Sequence, residues 1–102
     1  MKNIKKKLQT YCDRINEILD NGGYDEVYMI VNQVLKDMKK SNPYADLYYS
    51  RSVFINNGFD NDKIMSNVYN DGSKYKFVVS DDLTEHQGIV IRYSNEDKES
   101  EW

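Results

Sequence analysis

Ile64-Met65-Ser66-Asn67-Val68-Tyr69, Asn70-Asp71-Gly72-Ser73 and Lys74-Tyr75-Lys76-Phe77-Val78-Val79 follow one another without a gap, and their reading decides the fold. The outer two are rich in β-branched and aromatic residues, which suit a pleated, half-buried surface. The middle one is turn chemistry, since Asn, Asp and Gly tolerate the positive φ that tight hairpins require. The polar segment Ser80 to Gly88 reverses the chain again, and Ile89-Val90-Ile91-Arg92-Tyr93 supplies another strand-like run. Lys63 to Tyr93 is therefore expected to form an antiparallel meander. Its buried face would carry Ile64, Val68, Tyr75, Phe77, Val79, Ile89, Ile91 and Tyr93. The opposite face would show Met65, Asn67, Tyr69, Lys74, Lys76, Val78, Val90 and Arg92.

Upstream, residues 47–55 alternate as Leu47, Tyr49, Arg51, Val53 and Ile55 against Tyr48, Ser50, Ser52 and Phe54, which predicts a first strand. Tyr44, Leu47, Tyr48, Phe54 and Ile55 partly fit a helix starting at Asn42-Pro43 as well. Asn56 to Asp62 then reads as a loop into the meander.

The first forty residues carry a different period. Ile4, Leu8, Tyr11, Cys12, Ile15, Ile18 and Leu19 recur every three or four positions, predicting a helix over 3–20 that ends at Asn21-Gly22-Gly23. Val27, Ile30, Val31, Val34, Leu35 and Met38 form the stripe of a second helix over 24–40, with Asp25 and Glu26 in its first turn and Lys36, Lys39 and Lys40 towards its end. The short connection makes the pair an antiparallel hairpin. The expected fold is thus one α+β domain over residues 1–102, a helical hairpin on a three- to four-stranded antiparallel meander, with an acidic tail at 95–102 expected to fray.

Composition bounds the functional classes. No apolar run approaches the ~20 residues of a membrane span, and the basic N-terminus leads into a charged amphipathic pattern, so a cytoplasmic protein is expected. The single cysteine, Cys12, can form no internal disulfide. One Ala and one Pro beside abundant Asn, Lys, Ile and Tyr follow AT-rich codons, pointing to a low-GC bacterium, its phage or a related mobile element.

Catalytic constellations find little support. His86 lies beside Glu85 and near Asp81 and Asp82, but a lone His in an acidic turn is most simply a solvated loop residue. Asp60-Asn61-Asp62 opens like a calcium-binding loop and fails at Met65, where glycine is required, and at Asp71, where glutamate is required. Glu96-Asp97-Lys98 with Asp81 has the residue types of a metal-dependent nuclease, placed in a tail with no rigid support. The sequence contains no CxxC, phosphate-binding loop or nucleophile elbow. No cofactor, no metal and no enzymatic activity are expected.

Charge and aromaticity point to binding. Residues 1–42 hold eight Lys/Arg against six Asp/Glu and residues 43–102 hold six against eleven, so a formal charge of −3 divides into +2 and −5. In the meander, the loops at 56–62 and 81–87 leave from the same end, gathering Asp60, Asp62, Asp81, Asp82 and Glu85. Nine Tyr, three Phe and one Trp exceed what one small core needs, and Met65, Tyr69 and Arg92 on the open sheet face are residue types enriched in interfaces. These features predict a non-catalytic protein-binding inhibitor encoded by a phage or mobile element. Its target would be a host defence or nucleic-acid-handling protein, for example a CRISPR-type nuclease, whose basic groove the acidic loops would occupy. An immunity protein or antitoxin neutralising a toxin would share the pattern. A third reading uses Lys5, Lys6, Lys7, Lys36, Lys39 and Lys40, brought together at one end of the hairpin, to bind nucleic acid directly, as a homodimer or alone. The sequence pI near 5.1 opposes it.

Overall fold

In the computed structural model, which describes residues 2–41, 43–80 and 88–96, the two amphipathic stripes become helices α1 (Lys2–Asp20) and α2 (Tyr24–Ser41). Gly22 ends α1 at φ +78°, a left-handed conformation that glycine adopts without steric cost, and the Gly22 and Gly23 N–H groups turn back onto the carbonyls of Leu19 and Ile18. The hairpin is the expected one. Leu8, Cys12, Ile15 and Leu19 from α1 meet Val27, Val31, Val34 and Met38 from α2, all buried.

The next segment departs from expectation. Strand β1 spans only Asp46–Tyr49, because Ser50 stops it: the Ser50 Oγ accepts from the Val53 N–H and starts helix α3 (Arg51–Asn56). Ile64 to Tyr69, expected as a strand, lies in helix α4 (Asn61–Asn70). Asp60 is its N-cap, its carboxylate accepting from the Lys63 N–H at 3.1 Å, and Ile64 and Val68 bury one turn apart. The expected hairpin turn at Asn70 to Ser73 is instead the end of α4 and a 3-10 turn at Gly72–Lys74.

The sheet is mixed and has three strands. β2 (Tyr75–Val79) and β3 (Gly88–Tyr93) form the expected antiparallel pair, with Phe77 opposite Ile91. β1 then joins the far side of β3 in parallel, Leu47 opposite Ile89, giving the order β1-β3-β2 in place of a meander. Parallel neighbours require a long crossover, and α3 and α4 lie within it. β3 is central and buried from Gly88 to Arg92. Arg92, expected on an open face, is therefore only 7% exposed, and its guanidinium donates to the Glu96 carbonyl. Met65 and Tyr69 lie on α4 and not on the sheet.

One core joins the layers. Ala45, Val53, Ile64, Val68, Tyr75, Phe77, Val79, Ile89 and Ile91 complete what the two long helices begin. Seven of the eight residues expected on the inner face are buried, and the eighth, Tyr93, is half-buried. Among the described residues, no helix is long and apolar enough to cross a membrane.

Candidate functional site

The C-terminus of α3 is built to project an aromatic ring. Gly58 takes φ +65°, its N–H donating to Ile55 and the following Phe59 N–H to Phe54, both to carbonyl oxygens. This paired cap ends a helix and brings the residue after the glycine onto the last turn. Phe59 accordingly meets Phe54 edge-on, with ring centroids 4.6 Å apart. Phe59 itself sits at φ +63°, a region that bulky side chains rarely adopt, and is 63% exposed.

The row of rings continues. Phe54 stacks on Tyr49 of β1 at 6.1 Å, and Tyr69 of α4 meets Tyr28 of α2 edge-on at 5.5 Å. The two groups of rings lie near each other at Tyr49 and Tyr69. Burial is the main cause that raises the Tyr49 pKa, with Asp46, Tyr69 and Asp62 adding to it. Burial likewise raises that of Tyr69, with Tyr28 contributing. Five aromatic residues from four elements and one turn thus form two contacting groups, Tyr28–Tyr69 and Tyr49–Phe54–Phe59, with Tyr28 56% exposed.

Carboxylates lie beside this row. Asp46 and Asp62 are near enough to act on Tyr49, and Asp60 and Asp62 are exposed at the start of α4. Lys63 and Arg51 are the exposed basic residues of α4 and α3. Of the residues expected in a binding site, the fold places Asp62 and Tyr69 near Tyr49 and Asp60 at the N-cap of α4. Met65 is half-buried against the core, and Arg92 is enclosed elsewhere. Asp81, Asp82 and Glu85, with His86, lie outside the described residues. The geometric reason for grouping them with Asp60 and Asp62 is nonetheless removed. The meander on which that grouping rested is replaced by the mixed sheet.

Tyr49, Phe54 and Phe59 escape a reading from sequence, because their proximity depends on β1 stopping at Ser50 and on the turn of α3. The signal available was the aromatic surplus itself, together with a glycine placed just before Phe59.

At the lysine end, two of the expected residues share one carboxylate. Lys7 from α1 and Lys40 from α2 each lie 4.0 Å from Asp37, to which the Tyr11 hydroxyl also donates. That hydrogen bond, then Gln33, Lys7 and Lys40, hold the Asp37 carboxyl below its ordinary range against an opposing desolvation effect. Lys5, Lys6, Lys36 and Lys39 are exposed.

Reactive groups are tied up. Burial pushes the Cys12 thiol up to about 12, leaving it protonated and enclosed at neutral pH. Glu96 secures the β3 end, accepting from the Ser50 hydroxyl at 2.7 Å and the Tyr93 N–H at 3.2 Å. Asp97 and Lys98, the rest of that candidate nuclease set, fall outside the described residues, as does the tail from residue 97 onward. Among the described residues, no group of three His, Cys, Asp or Glu side chains is placed to hold a metal ion. Set against protein-family models, curated proteins and solved structures, the chain finds no match in any of the three.

Proposed function

We propose that this protein is a non-catalytic inhibitor that binds a basic protein partner through the row from Tyr28 to Phe59. The observation that carries the reading is Phe59 itself: an exposed aromatic ring held in a left-handed backbone conformation and braced by Phe54. Backbone strain of this kind costs of order 1–3 kcal/mol and persists where surrounding structure enforces it, which is common at binding sites. The rigid rings offer apolar contact at low entropic cost, as in other protein interfaces. Asp46, Asp60 and Asp62 give the rim a charge that complements a cationic surface. Surfaces that hold nucleic acid have that character, so a nucleic-acid-handling enzyme, including one of host defence, is the partner class proposed. A basic toxin neutralised by the same face is the variant of this reading.

The photoreactive residue p-benzoylphenylalanine, placed in turn at Tyr28, Phe59 and Lys39, tests the proposal in extracts of the native host. The same partner should be captured from Tyr28 and Phe59 and not from Lys39. It should also lose nucleic-acid binding when saturated with the unmodified protein. Capture from Lys39 alone, or a captured partner whose nucleic-acid binding is untouched, would overturn the reading. A second copy of this chain captured at Phe59 would make the row a self-association surface instead.

A further inference from the structure

A cleft of about 380 Å³ opens between the α1–α2 turn, Gly22 to Glu26, and the end of α4 at Tyr69 and Asn70. Its volume is at the small end of ligand pockets. Two aromatic residues, Tyr24 and Tyr69, line it. Tyr24 is packed onto Gly72, where an added Cβ would come within 3.0 Å of its ring, and Tyr69 is braced by Tyr28. Asp25 and Glu26 bring two carboxylates, and among the described residues no lysine or arginine lines the cleft.

A helix N-terminus ordinarily favours an anion, but here three of the local donors are committed. The Gly22 and Gly23 N–H groups donate to α1, and the Glu26 N–H donates to the Gly23 carbonyl at 3.1 Å. The two carboxylates oppose the dipole of α2, and the C-terminal end of α4 adds partial negative charge from the other side. Aromatic faces, carboxylates and a helix C-terminus all favour a cation.

We infer that this cleft is a recognition pocket for one cationic side chain, arginine or lysine, of a protein partner. The inference deepens the proposed function and rests on it, since Tyr69 belongs to both the row and the cleft. A partner lying along the rings would place a single guanidinium or ammonium group between Tyr24, Tyr69 and the carboxylates.

Nuclear magnetic resonance titration with Nα-acetyl-arginine amide, its lysine counterpart and the neutral citrulline analogue tests the pocket without the partner. At constant ionic strength, the Gly22, Gly23 and Asn70 amide signals should shift saturably with one or both cations and not with the citrulline analogue. The arginine and lysine arms decide which cation is preferred. In Asp25→Asn/Glu26→Gln, whose side chains are exposed and outside the core, apparent affinity should fall by about tenfold or more. Equal response to the neutral analogue, saturable binding of inorganic phosphate instead, or unaltered affinity in the double variant would overturn the inference. Photocapture at Phe59 that survives the double variant alongside a silent titration would reject the pocket while leaving the docking row in place. Loss of capture at Phe59 in the unmodified sequence would reject the row and leave the titration to judge the pocket.

Discussion

The side-chain amide of Asn16 pairs with both backbone groups of Phe77, donating to its carbonyl at 2.9 Å and accepting from its N–H at 2.8 Å. β2 is an edge strand, and Phe77 is one of the residues whose peptide groups point away from β3. An unpaired edge invites another strand, so α1 closes it with one residue that mimics a strand partner.

Asn16→Ala should therefore destabilise the fold by about 1–2 kcal/mol, since it leaves a donor and an acceptor unpaired at a helix-covered position. In a domain of this size the melting temperature should drop by roughly 5–15 °C. Thermal unfolding by circular dichroism gives the answer, and an unchanged midpoint would show that water replaces the amide at no loss.

Gly88→Ala tests the parallel pairing. A Cβ at Gly88 would stand 2.0 Å from the Asp46 carbonyl oxygen, a backbone atom that cannot move without shifting β1. The substitution should cost about 1–3 kcal/mol by overpacking. Urea denaturation would register it, and hydrogen exchange should show faster exchange in residues 46–49 than in β2. Equal loss of protection in both strands would contradict the register.

Phe59→Gly separates stability from binding. Relief of the left-handed strain, about 1 kcal/mol, offsets the lost ring contact with Phe54, about 0.5–1.5 kcal/mol. The fold should stay within about 1 kcal/mol of the parent, while partner affinity falls by about 2 kcal/mol or more, roughly thirtyfold. Surface plasmon resonance with the captured partner would measure it, and undiminished affinity would exclude Phe59 as an anchor.

Asp60→Asn with Asp62→Asn addresses the acidic rim. Asparagine preserves the side-chain acceptor at the α4 N-cap, so the melting temperature should change little. Association should slow and its salt dependence should flatten, with dissociation less affected. A change confined to the off-rate would mean that the two carboxylates make close contacts and do not steer.

Asp37 should contribute to acid sensitivity, as should Asp71, whose carboxyl Ser73 and Lys74 also hold below its ordinary range. The folded pKa of Asp37 lies below the unfolded value, so the folded state binds this proton more weakly; its contribution is present above the unfolded pKa and is lost as pH falls through the folded one. Stability measured from pH 5 to pH 2 should decline, and Asp37→Asn should flatten part of that slope. An identical slope in the variant would assign the acid loss to other carboxylates.

The sequence by itself determined the helical hairpin and the β2–β3 pair, because both depend on local signals. Stripes in α1 and α2 are long enough for a period of 3.6 to be unmistakable, and the paired strands are adjacent in sequence. It also determined most of the core, for a reason that explains the largest error. Ile64 and Val68 are four apart, and four residues return to the same face in both a strand and a helix. Six residues from Ile64 to Tyr69 cannot distinguish the two periods; what decides is the Asp60 cap, which makes Asn61–Asn70 helical. Only tertiary structure could place β1, since the pairing of Asp46 with Gly88 spans 42 residues and is set by burial of β3 on both edges. The same holds for the row from Tyr28 to Phe59. No sequence period relates residues on α2, β1, α3 and α4; they meet because the parallel crossover folds those elements against one another.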